Sequence, residues 1–571
     1  MSDARIEHKG GEKMQKQAKP SRSQVMFLVI AIFVILISVS SASASPLPTS
    51  SQVYVSTNGS DTNNGSAEAP YLTITKGVES VFENGTVHIA NGVYKGTGNT
   101  NITIYRSMNI IGQSRAGTII NGSNTNWMFN IQSGTVTIQS LTFVNGTNYG
   151  DYNVNNYGGG AIYNSEDATT TINDCTFKGN TGYYGGAIMN DGTLTVNRST
   201  FIGNSADEGG AIYQCDGTAR ITDSTFTGNT AYYEGGAIYM DSYTTTTITG
   251  CTFTGNTAAL GGAIANPYGY AVTFNMTNST LKNNKAVKQQ KSEELTRGLG
   301  GGLYLSPRGS YSYKISGNHF LNNVGSGIYI QNFQTPMFSL SKDSAPFTNE
   351  LLINFNRFYG NTPYGVYYNN TTSMMPKSFS AAPVSSNPVL DAKYNWWGSN
   401  SGPNTVGADK TNLESTYYAP WIVMRLSPTN VLMNGGTTTK LTANFFYDSN
   451  GTYHDPANGH VPDGTPVTFT TSLGQVGSQT ITKYTVNGIA TAVLRAWNAA
   501  GDPVSGMAFI TATVDAQTLS GSVNIQAVPT ANAASSTTSN TVAMQKTGVP
   551  LNYLILAILA VISGFVMPRR K

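Results

Sequence analysis

Residues 185–212 read GGAIMNDGTLTVNRSTFIGNSADEGGAI, and this stretch decides the fold. Its opening phrase, Gly-Gly-Ala-Ile, occurs five times at a step of about 25 residues. The five copies begin at Gly159, Gly185, Gly209, Gly235 and Gly261. A second phrase, Thr-Phe-x-Gly-Asn, lies between them, with its aromatic residue at Phe177, Phe201, Phe226 and Phe253. A fixed period of this size indicates a solenoid, and the two phrases predict two strands and two turns in each period.

Apolar and polar residues alternate with a period of two inside each repeat. In residues 193–197, for example, Leu194 and Val196 alternate with threonine and asparagine. This alternation is typical of a strand with one buried face, and no amphipathic helix fits it. Coils of roughly 20 to 30 residues, closed by glycine and asparagine that tolerate left-handed backbone, predict a parallel β-helix. The residues expected to stack inward as ladders include Ile162, Phe177, Ile188 and Phe201.

The Gly-Gly pair needs no functional explanation, because a sharp corner beside a filled interior requires positive φ and has no room for a Cβ atom. Weaker copies of the repeat continue on both sides, for example around Phe143, Phe320 and Phe358. The solenoid is therefore predicted from Val53 to about Tyr418, within a β-helix domain at residues 45–420. Three stretches break the spacing, at residues 288–299, 331–350 and 371–389, and we expect them to be loops that leave the coils on one face.

Both ends of the chain carry segments typical of an exported and anchored protein. Residues 1–44 join a basic stretch, an apolar run and a small-x-small sequence, and they predict a signal peptide or signal anchor. Residues 529–550 form a predicted Ser/Thr-rich stalk, and residues 551–567 are long and apolar enough for a transmembrane helix. The basic tail at 568–571 then lies in the cytoplasm, so the predicted location of the domains is the cell surface.

Composition excludes several classes of partner. Only 11% of the residues are charged, and the part between the two ends is faintly acidic, so no nucleic acid partner is expected. No cofactor and no metal are expected, because the sequence has no Cys/His spacing for zinc and no Gly-Gly-x-Gly-x-Asp run for calcium. Cys175, Cys215 and Cys251 are predicted to be small fillers, since Cys175 and Cys251 lie three coils apart and cannot form a disulfide.

The exported part also contains twelve Asn-x-Ser/Thr sequons, which are candidate glycosylation sites. They lie at Asn58, Asn64, Asn84, Asn101, Asn121, Asn145, Asn197, Asn275, Asn278, Asn369, Asn370 and Asn450. A chain this rich in asparagine and threonine also produces sequons by chance.

Carboxylates decide whether the solenoid is an enzyme, because cleavage of a polysaccharide by hydrolysis needs two of them across one sugar. The candidates in the regular coils are Asp167, Asp174, Asp191, Asp207, Glu208, Asp216, Asp223, Glu234 and Asp241. The best aligned set is Asp174, Arg198 and Asp223, each three residues before its phenylalanine. If the protein is an enzyme, these three are the candidate catalytic residues. We favour a charge ladder that stabilises the coil register, because the next coils have glycine and asparagine at this repeat position and no histidine is near.

Aromatic residues supply candidate ligand contacts and a candidate cap. Tyr183, Tyr184, Tyr232 and Tyr233 precede the Gly-Gly corner, where exposed rings would stack on sugars or on another protein, although packing over neighbouring turns is the favoured interpretation for each ring taken singly. Trp396 and Trp397 are predicted to close the last coil as an aromatic lid, with a ligand platform as the alternative.

The two ends of the ectodomain resemble known modules. The opening, with its Val53-Tyr54-Val55-Ser56 and Val87-His88-Ile89-Ala90-Asn91-Gly92 segments, resembles extracellular pectate-lyase-like β-helix proteins, which implies a short capping helix within residues 73–82. After Pro420 the strands become longer and more widely spaced, which predicts an immunoglobulin-like β-sandwich at residues 421–528. Its segments at 461–469 and 487–494 resemble the bacterial Ig-like repeats of invasins and intimins.

The repeat phrases resemble those of the polymorphic outer-membrane proteins of chlamydiae, but we expect no autotransporter barrel of the kind with which those proteins end. The whole layout, including Asn395-Trp396-Trp397-Gly398, resembles adhesin-like surface proteins of methanogenic archaea. The predicted fold is thus all-β, a right-handed, single-stranded, pectate-lyase-like parallel β-helix followed by an Ig-like sandwich. The resemblance implies adhesion to an extracellular glycan or to a surface protein of another cell. The alternatives are a polysaccharide lyase or hydrolase, and a structural envelope protein that binds nothing else.

Overall fold

The computed structural model describes residues 50–149, 158–288, 298–331, 349–370, 389–428 and 431–528. The predicted signal segment, stalk, transmembrane helix and basic tail lie outside these residues, as do most of the three predicted loops. Within the described ranges, no helix has the length and apolar character needed to cross a membrane.

The described residues between 50 and 391 form a parallel β-helix whose short strands stack, coil upon coil, into four columns. In the order in which a coil visits them we call these columns A, B, C and D. Column A comprises Ile102–Ile104, Phe129–Ile131, Ile162–Asn164, Ile188–Asn190, Ile212–Gln214, Ile238–Met240, Ile328–Gln331 and Val366–Asn369. Column B comprises Ser50–Val55, Val81–Ile89, Met108–Gly112, Gly134–Gln139, Ala168–Asn173, Thr193–Asn197, Thr218–Thr222, Thr245–Thr249, Glu350–Asn354 and Val389–Asp391.

Two long strands, Ile264–Thr277 and Leu303–Ser316, run through both columns A and B. Column C comprises Gly92–Lys95, Thr118–Asn121, Thr142–Val144, Thr176–Lys178, Thr200–Ile202, Thr225–Thr227, Thr252–Thr254, Thr280–Lys282, His319–Leu321 and Arg357–Tyr359. Column D comprises Thr147–Asn148, Thr181–Tyr184, Ser205–Glu208, Thr230–Glu234, Thr257–Ala258 and Lys285–Ala286. The prediction of two strands in each period is therefore wrong for the regular coils, which hold four, because short turns divide each predicted strand.

The predicted inward ladders are confirmed. Ile162 pairs with Ile188 in column A, and Phe177 pairs with Phe201 in column C. The rings of Phe177 and Phe201 stack at 4.8 Å, and the same stacking continues to Phe226 and Phe253. All of these side chains are buried, so burial of these apolar ladders along the axis supplies the main stabilising term of the solenoid.

The Gly-Gly corner has the two properties that were predicted for it. The first glycine takes positive φ in the copies that begin at Gly185, Gly209, Gly235 and Gly261, for example +67° at Gly235, and other residues are strained in this conformation. The second glycine lies against the next coil, so a Cβ atom on Gly236 would come within 2.1 Å of the carbonyl oxygen of Gly262. The corner therefore accepts no side chain at either position.

The asparagines of the Phe-x-Gly-Asn phrase have a different role from the one predicted. The left-handed residue at this turn is the glycine, for example Gly203 (φ +58°), whereas Asn204 is fully buried. The Nδ2 of Asn204 donates to the Oδ1 of Asn229 at 2.9 Å, and the same contact repeats from coil to coil. This asparagine ladder runs through Asn180, Asn204, Asn229, Asn256, Asn284, Asn323 and Asn361 and ends on Asp409.

The first coil is closed by the short helix Ile74–Ser80, inside the range predicted for a cap. Its N-terminus is capped by Thr73, whose side chain accepts a hydrogen bond from the Lys76 amide. Further helical elements are Ser415–Tyr418 and the 3-10 turn Pro456–Asn458.

Residues 422–526 form two sheets around a second hydrophobic core. One sheet contains Ile422–Pro428, Thr438–Asp448 and Ile489–Arg495, all antiparallel. The other contains, in spatial order, Leu432–Asn434, Gln517–Gln526, Gly506–Val514, Pro466–Thr471 and Thr480–Tyr484, of which only the first pair is parallel. We call these residues the C-terminal domain.

Candidate functional site: an acidic groove on the β-helix

Carboxylates from neighbouring coils collect where the ends of columns A and D meet. Asp191 and Asp241 directly follow their strands in column A and lie two coils apart. Glu208 and Glu234 are the last residues of their strands in column D and pair in register with each other. Between these two rows lies the outward row of column A, in which Tyr213 pairs with Tyr239. We call this surface the acidic groove. It comprises Tyr163, Glu166, Asp167, Asp191, Asp207, Glu208, Tyr213, Cys215, Asp216, Glu234, Tyr239 and Asp241.

The groove contains a pocket of about 330 Å³ at its N-terminal end. The pocket is lined by Tyr163, Ser165, Glu166, Asp167, Asp191, Cys215 and Asp216. Four of these seven residues are acidic, so the pocket suits a ligand that offers hydrogen-bond donors or positive charge.

Tyrosine hydroxyls hold two of the carboxylates. The Tyr163 hydroxyl donates to the Oδ2 of Asp191 at 2.7 Å, and the Tyr213 hydroxyl donates to the Oδ2 of Asp241 at 3.2 Å. Burial is the main cause that raises the pKa of both carboxyl groups, and the tyrosine hydrogen bonds oppose it.

Glu208 and Glu234 differ because neither side chain has a hydrogen-bond or ion-pair partner among the described residues. Burial, followed by the nearby charges of Asp241 and Asp207, raises the pKa of Glu208 to about 7. Burial, followed by the charges of Glu208 and Asp241, raises the pKa of Glu234 to about 8. At neutral pH Glu234 therefore keeps its proton and Glu208 is partly protonated, whereas an exposed glutamate would have lost its proton.

The charges of these coils are segregated. Between residues 158 and 242 the basic residues are Lys178, Arg198 and Arg220, which lie in column C, in the turn between columns B and C, and in column B. None of the three lies in columns A or D, which form the groove. The groove therefore presents a negative potential that attracts cations and repels polyanions.

The tyrosine rings of the groove pack on one another and leave little ring surface for a ligand. Tyr213 and Tyr239 stack at 4.6 Å with planes 6° apart, and their side chains are only 6% and 2% exposed. Tyr184 packs against Tyr213 from column D, with the ring centroids 4.7 Å apart. The groove therefore offers hydroxyl and carboxylate oxygens more than aromatic faces. Among the described residues, no group of three or more His, Cys, Asp or Glu side chains is arranged to hold a metal ion.

The predicted row of Asp174, Arg198 and Asp223 lies on a different turn, between columns B and C. All three residues have positive φ, between 46° and 49°. Gly250 and Asn278, at the same turn of the following coils, also have positive φ, of 66° and 51°. Arg115, which the sequence pattern did not single out, reaches over this turn: its Nη1 donates to the Oδ1 of Asp174 at 2.9 Å and its Nη2 to the Thr200 hydroxyl at 3.0 Å. The geometry at this turn selects residues that accept left-handed backbone.

The four tyrosines predicted to contact a ligand lie in column D, beside the groove. Tyr183 and Tyr184 pack edge to face at 4.7 Å, and Tyr232 and Tyr233 do the same at 4.5 Å. All four are half-buried. They form part of one rim of the groove, with Glu208 and Glu234.

The two predicted cap tryptophans are both fully buried but belong to different cores. Trp397 stacks on Phe358 at 4.9 Å and ends the aromatic ladder of the β-helix. Trp396 points the other way, into the core of the C-terminal domain, where it packs edge to face on Phe445.

The twelve sequon asparagines are all exposed or half-buried. The exposed ones are Asn58, Asn64, Asn84, Asn101, Asn278, Asn370 and Asn450. Cys175 and Cys251 are buried, Cys215 is half-buried, and all three are free thiols.

These coils show that the chain is a parallel β-helix protein, and comparisons with known proteins indicate the handedness of the helix. The model of the family described as right-handed β-helix region matches residues 221–380. The model of the Chlamydia polymorphic membrane protein repeat matches residues 198–214, inside the groove-forming coils. The chain is thus a right-handed β-helix protein with a segment similar to the repeat of polymorphic membrane proteins. No curated protein matches it.

Solved structures show only distant similarity. One, described as a rhamnogalacturonan lyase, is 12% identical with a TM-score of 0.30, over 64% of this chain and 86% of that chain. Another, a complex of XylC with xylose, is 8% identical with a TM-score of 0.27, over 83% of this chain and 100% of that chain. Similarity at this level carries no argument about activity.

Proposed function

We propose that this protein is a cell-surface adhesin-like protein that contacts another cell, a glycan or the envelope through the acidic groove of its β-helix. The predicted export segment, the stalk and the transmembrane helix at residues 551–567 would display the β-helix outside the membrane. The repeat matched by the polymorphic membrane protein model supports a surface role. The resemblance to adhesin-like proteins of methanogenic archaea and the Ig-like nature of residues 421–528 belong to the same proposal.

The observation that carries the proposal is the pair Glu208 and Glu234. Partly buried carboxylates without a hydrogen-bond or ion-pair partner destabilise a fold, and such residues concentrate at functional sites. A bound ligand that supplies hydroxyl or ammonium donors would satisfy them. The length of the groove, which follows the coil axis, suits an extended chain that makes several weak contacts.

The charge of the groove defines the ligand class further. Carboxylates accept hydrogen bonds from sugar hydroxyls and pair with protonated amines, but they repel the carboxylates and sulfates of acidic polysaccharides. We therefore expect neutral or amino-sugar glycans to bind and uronic-acid polymers to be excluded.

A glycan array tests this proposal directly. The ectodomain, residues 45–528, is applied to neutral, amino-sugar and acidic glycans, alongside the variants Glu208→Ala and Glu234→Ala, because glutamine would keep the hydrogen bonds of the protonated acid. Asp223→Asn serves as the control, because it removes an exposed carboxylate from the turn between columns B and C. The proposal predicts saturable binding to neutral or amino-sugar glycans that the two groove variants weaken at least tenfold and the control leaves unchanged. Binding of acidic glycans, or equal binding by all variants, would reject the groove as the site.

A polysaccharide hydrolase is the second candidate, and the protonated state of Glu208 and Glu234 favours it. A carboxyl group that keeps its proton near neutral pH suits a general acid, and the hydrogen-bonded Asp241 would be the ionised partner. The same glycan panel distinguishes the two functions. Release of shorter oligosaccharides that stops in Glu208→Ala or Glu234→Ala would replace the adhesin by an enzyme, whereas binding without release supports the adhesin.

A further inference from the structure

We propose that the C-terminal domain is a fixed end cap of the β-helix, which folds and opens together with the last coils, and not a hinged spacer. The inference concerns how the groove is held relative to the rest of the chain, and it is independent of what the groove binds. It rests on the contacts between the last coils and the two sheets of the C-terminal domain.

A buried ion pair joins the two parts. Arg357 lies in column C, and Asp515 lies in the turn between the strands Gly506–Val514 and Gln517–Gln526. The Nε of Arg357 donates to the Oδ2 of Asp515 at 3.0 Å, and its Nη2 donates to Oδ1. The side chains are only 7% and 1% exposed. Separating the two parts would break both hydrogen bonds of this pair and take each charge away from its partner.

The same carboxylate is held by a third group. The Nε1 of Trp396 donates to the Oδ2 of Asp515 at 2.7 Å. Trp396 immediately precedes Trp397, which ends the ladder of the β-helix, so one dipeptide contributes to both hydrophobic cores. A rotation between the β-helix and the C-terminal domain would pull one tryptophan out of its core.

Further contacts surround the ion pair and fix the orientation. The His319 Nε2 lies 3.0 Å from the carbonyl oxygen of Asp463 in the C-terminal domain. The Asn400 side chain donates to the carbonyl of Met424 and accepts from its amide, at 2.9 and 2.7 Å. Tyr394 packs against His454, with the ring centroids 4.5 Å apart. The junction thus combines shared apolar cores with directional polar contacts, unlike the polar and mobile interfaces between flexibly linked domains.

Native-state hydrogen exchange on the full-length protein tests the proposal. In the parent protein we expect the coil around residues 357–359 and the strands at 506–526 to share one opening rate. The variant Asp515→Asn should accelerate exchange at least about tenfold in both segments together, because both open in the same event. Asp502→Asn is the matched control, since Asp502 is an exposed acid of the same domain.

A second variant keeps the test decisive if Asp515→Asn does not fold. Trp396→Phe keeps a six-membered aromatic ring but removes the Nε1 donor together with the rest of the five-membered ring, and it leaves the ion pair in place. It should therefore also accelerate exchange in both segments, by a smaller factor. Acceleration confined to the strands at 506–526, with unchanged protection at 357–359 in either variant, would show that the C-terminal domain opens alone and would overturn the end cap.

Discussion

Tyr213 donates a hydrogen bond to Asp241 on the following coil, and Tyr163 makes the equivalent contact to Asp191 two coils earlier. In the coil between them both members of the pair are replaced, by Met189 and Cys215. At these three positions an acid therefore occurs only where the preceding coil supplies a tyrosine. The physical reason is that a carboxylate at this half-buried position needs the tyrosine hydroxyl as a donor.

This pairing predicts the outcome of a double-mutant cycle at Met189 and Cys215. Cys215→Asp alone should destabilise the fold by about 1 to 3 kcal/mol, because it adds a carboxylate without a donor to a groove that is already acidic. Adding Met189→Tyr should restore roughly 1 kcal/mol beyond the sum of the single changes. Denaturant unfolding of the parent, both single variants and the double variant measures this coupling. A coupling of zero would mean that the tyrosine does not support the carboxylate.

The raised pKa of Glu234 predicts a pH-dependent stabilisation by Glu234→Gln. The folded state keeps its proton up to about pH 8, whereas the unfolded chain loses it near the ordinary value of 4.5, so the stability of the parent falls as the pH rises between these values. Glutamine mimics the protonated acid at all pH values. We expect equal stability of variant and parent at pH 5, and a gain on the order of 1 to 3 kcal/mol for the variant at pH 9.

Thermal unfolding at the two pH values measures this effect, with Asp223→Asn as the control from the exposed turn. A gain of the same size at pH 5 would show that glutamine improves packing and that the charge of Glu234 is not the cause. Loss of glycan binding combined with a gain in stability would mark Glu234 as a residue kept for function at the expense of the fold.

The Gly-Gly corner predicts two very different costs for the same substitution. Gly236→Ala would press a Cβ atom to 2.1 Å from the Gly262 carbonyl oxygen of the next coil, so it should cost more than about 3 kcal/mol or prevent folding. Gly228→Ala is the matched control: its φ is +61°, but a Cβ atom there meets nothing within 4 Å, so only the backbone strain of about 1 kcal/mol remains. Urea unfolding of the two variants and the parent measures both losses of stability. Equal losses in the two variants would mean that backbone strain, not contact with the next coil, makes glycine necessary.

The solenoid could be predicted from the sequence because its signals are periodic. The alternation around Leu194 and the spacing of Phe177 and Phe201 fix which side chains face inward, and the structure confirms both. The asparagine ladder was not predicted, because a buried Asn204 and a left-handed turn asparagine look alike in a sequence. They differ only in whether a partner amide lies one coil away, and that depends on coil closure.

The acidic groove could be predicted only in part, for a related reason. Asp191, Glu208, Glu234 and Asp241 were all among the candidate carboxylates, but the row of Asp174, Arg198 and Asp223 was ranked above them because its members share one repeat position. The groove joins residues from different repeat positions, at the ends of columns A and D. Alignment of one repeat on the next reveals neighbours along the axis, whereas neighbours around the coil depend on how each turn bends.

His319, which contacts Asp463 at the junction of the β-helix and the C-terminal domain, predicts that acid destabilises the end cap. Burial, followed by the charge of Arg357, lowers the pKa of His319 to about 4, against 6.5 for an ordinary histidine. Between pH 4 and 6.5 this histidine is protonated in the unfolded chain but not in the folded protein. The free energy of unfolding therefore falls as the pH drops from about 6.5 to 4. His319→Gln removes this difference in bound protons. The free energy of unfolding of the variant should therefore depend less on pH in that window, by up to about 1.4 kcal/mol per pH unit. The variant also loses the contacts to Asp463 and Arg357, so it is less stable at pH 7. Free energies of unfolding of parent and variant at several pH values between 4 and 7 measure the two slopes. The carboxyl groups of the groove, whose pKa values are raised, contribute equally to both slopes and cancel in their difference. Parallel slopes would show that His319 takes up its proton equally in both states and that acid acts on the protein elsewhere.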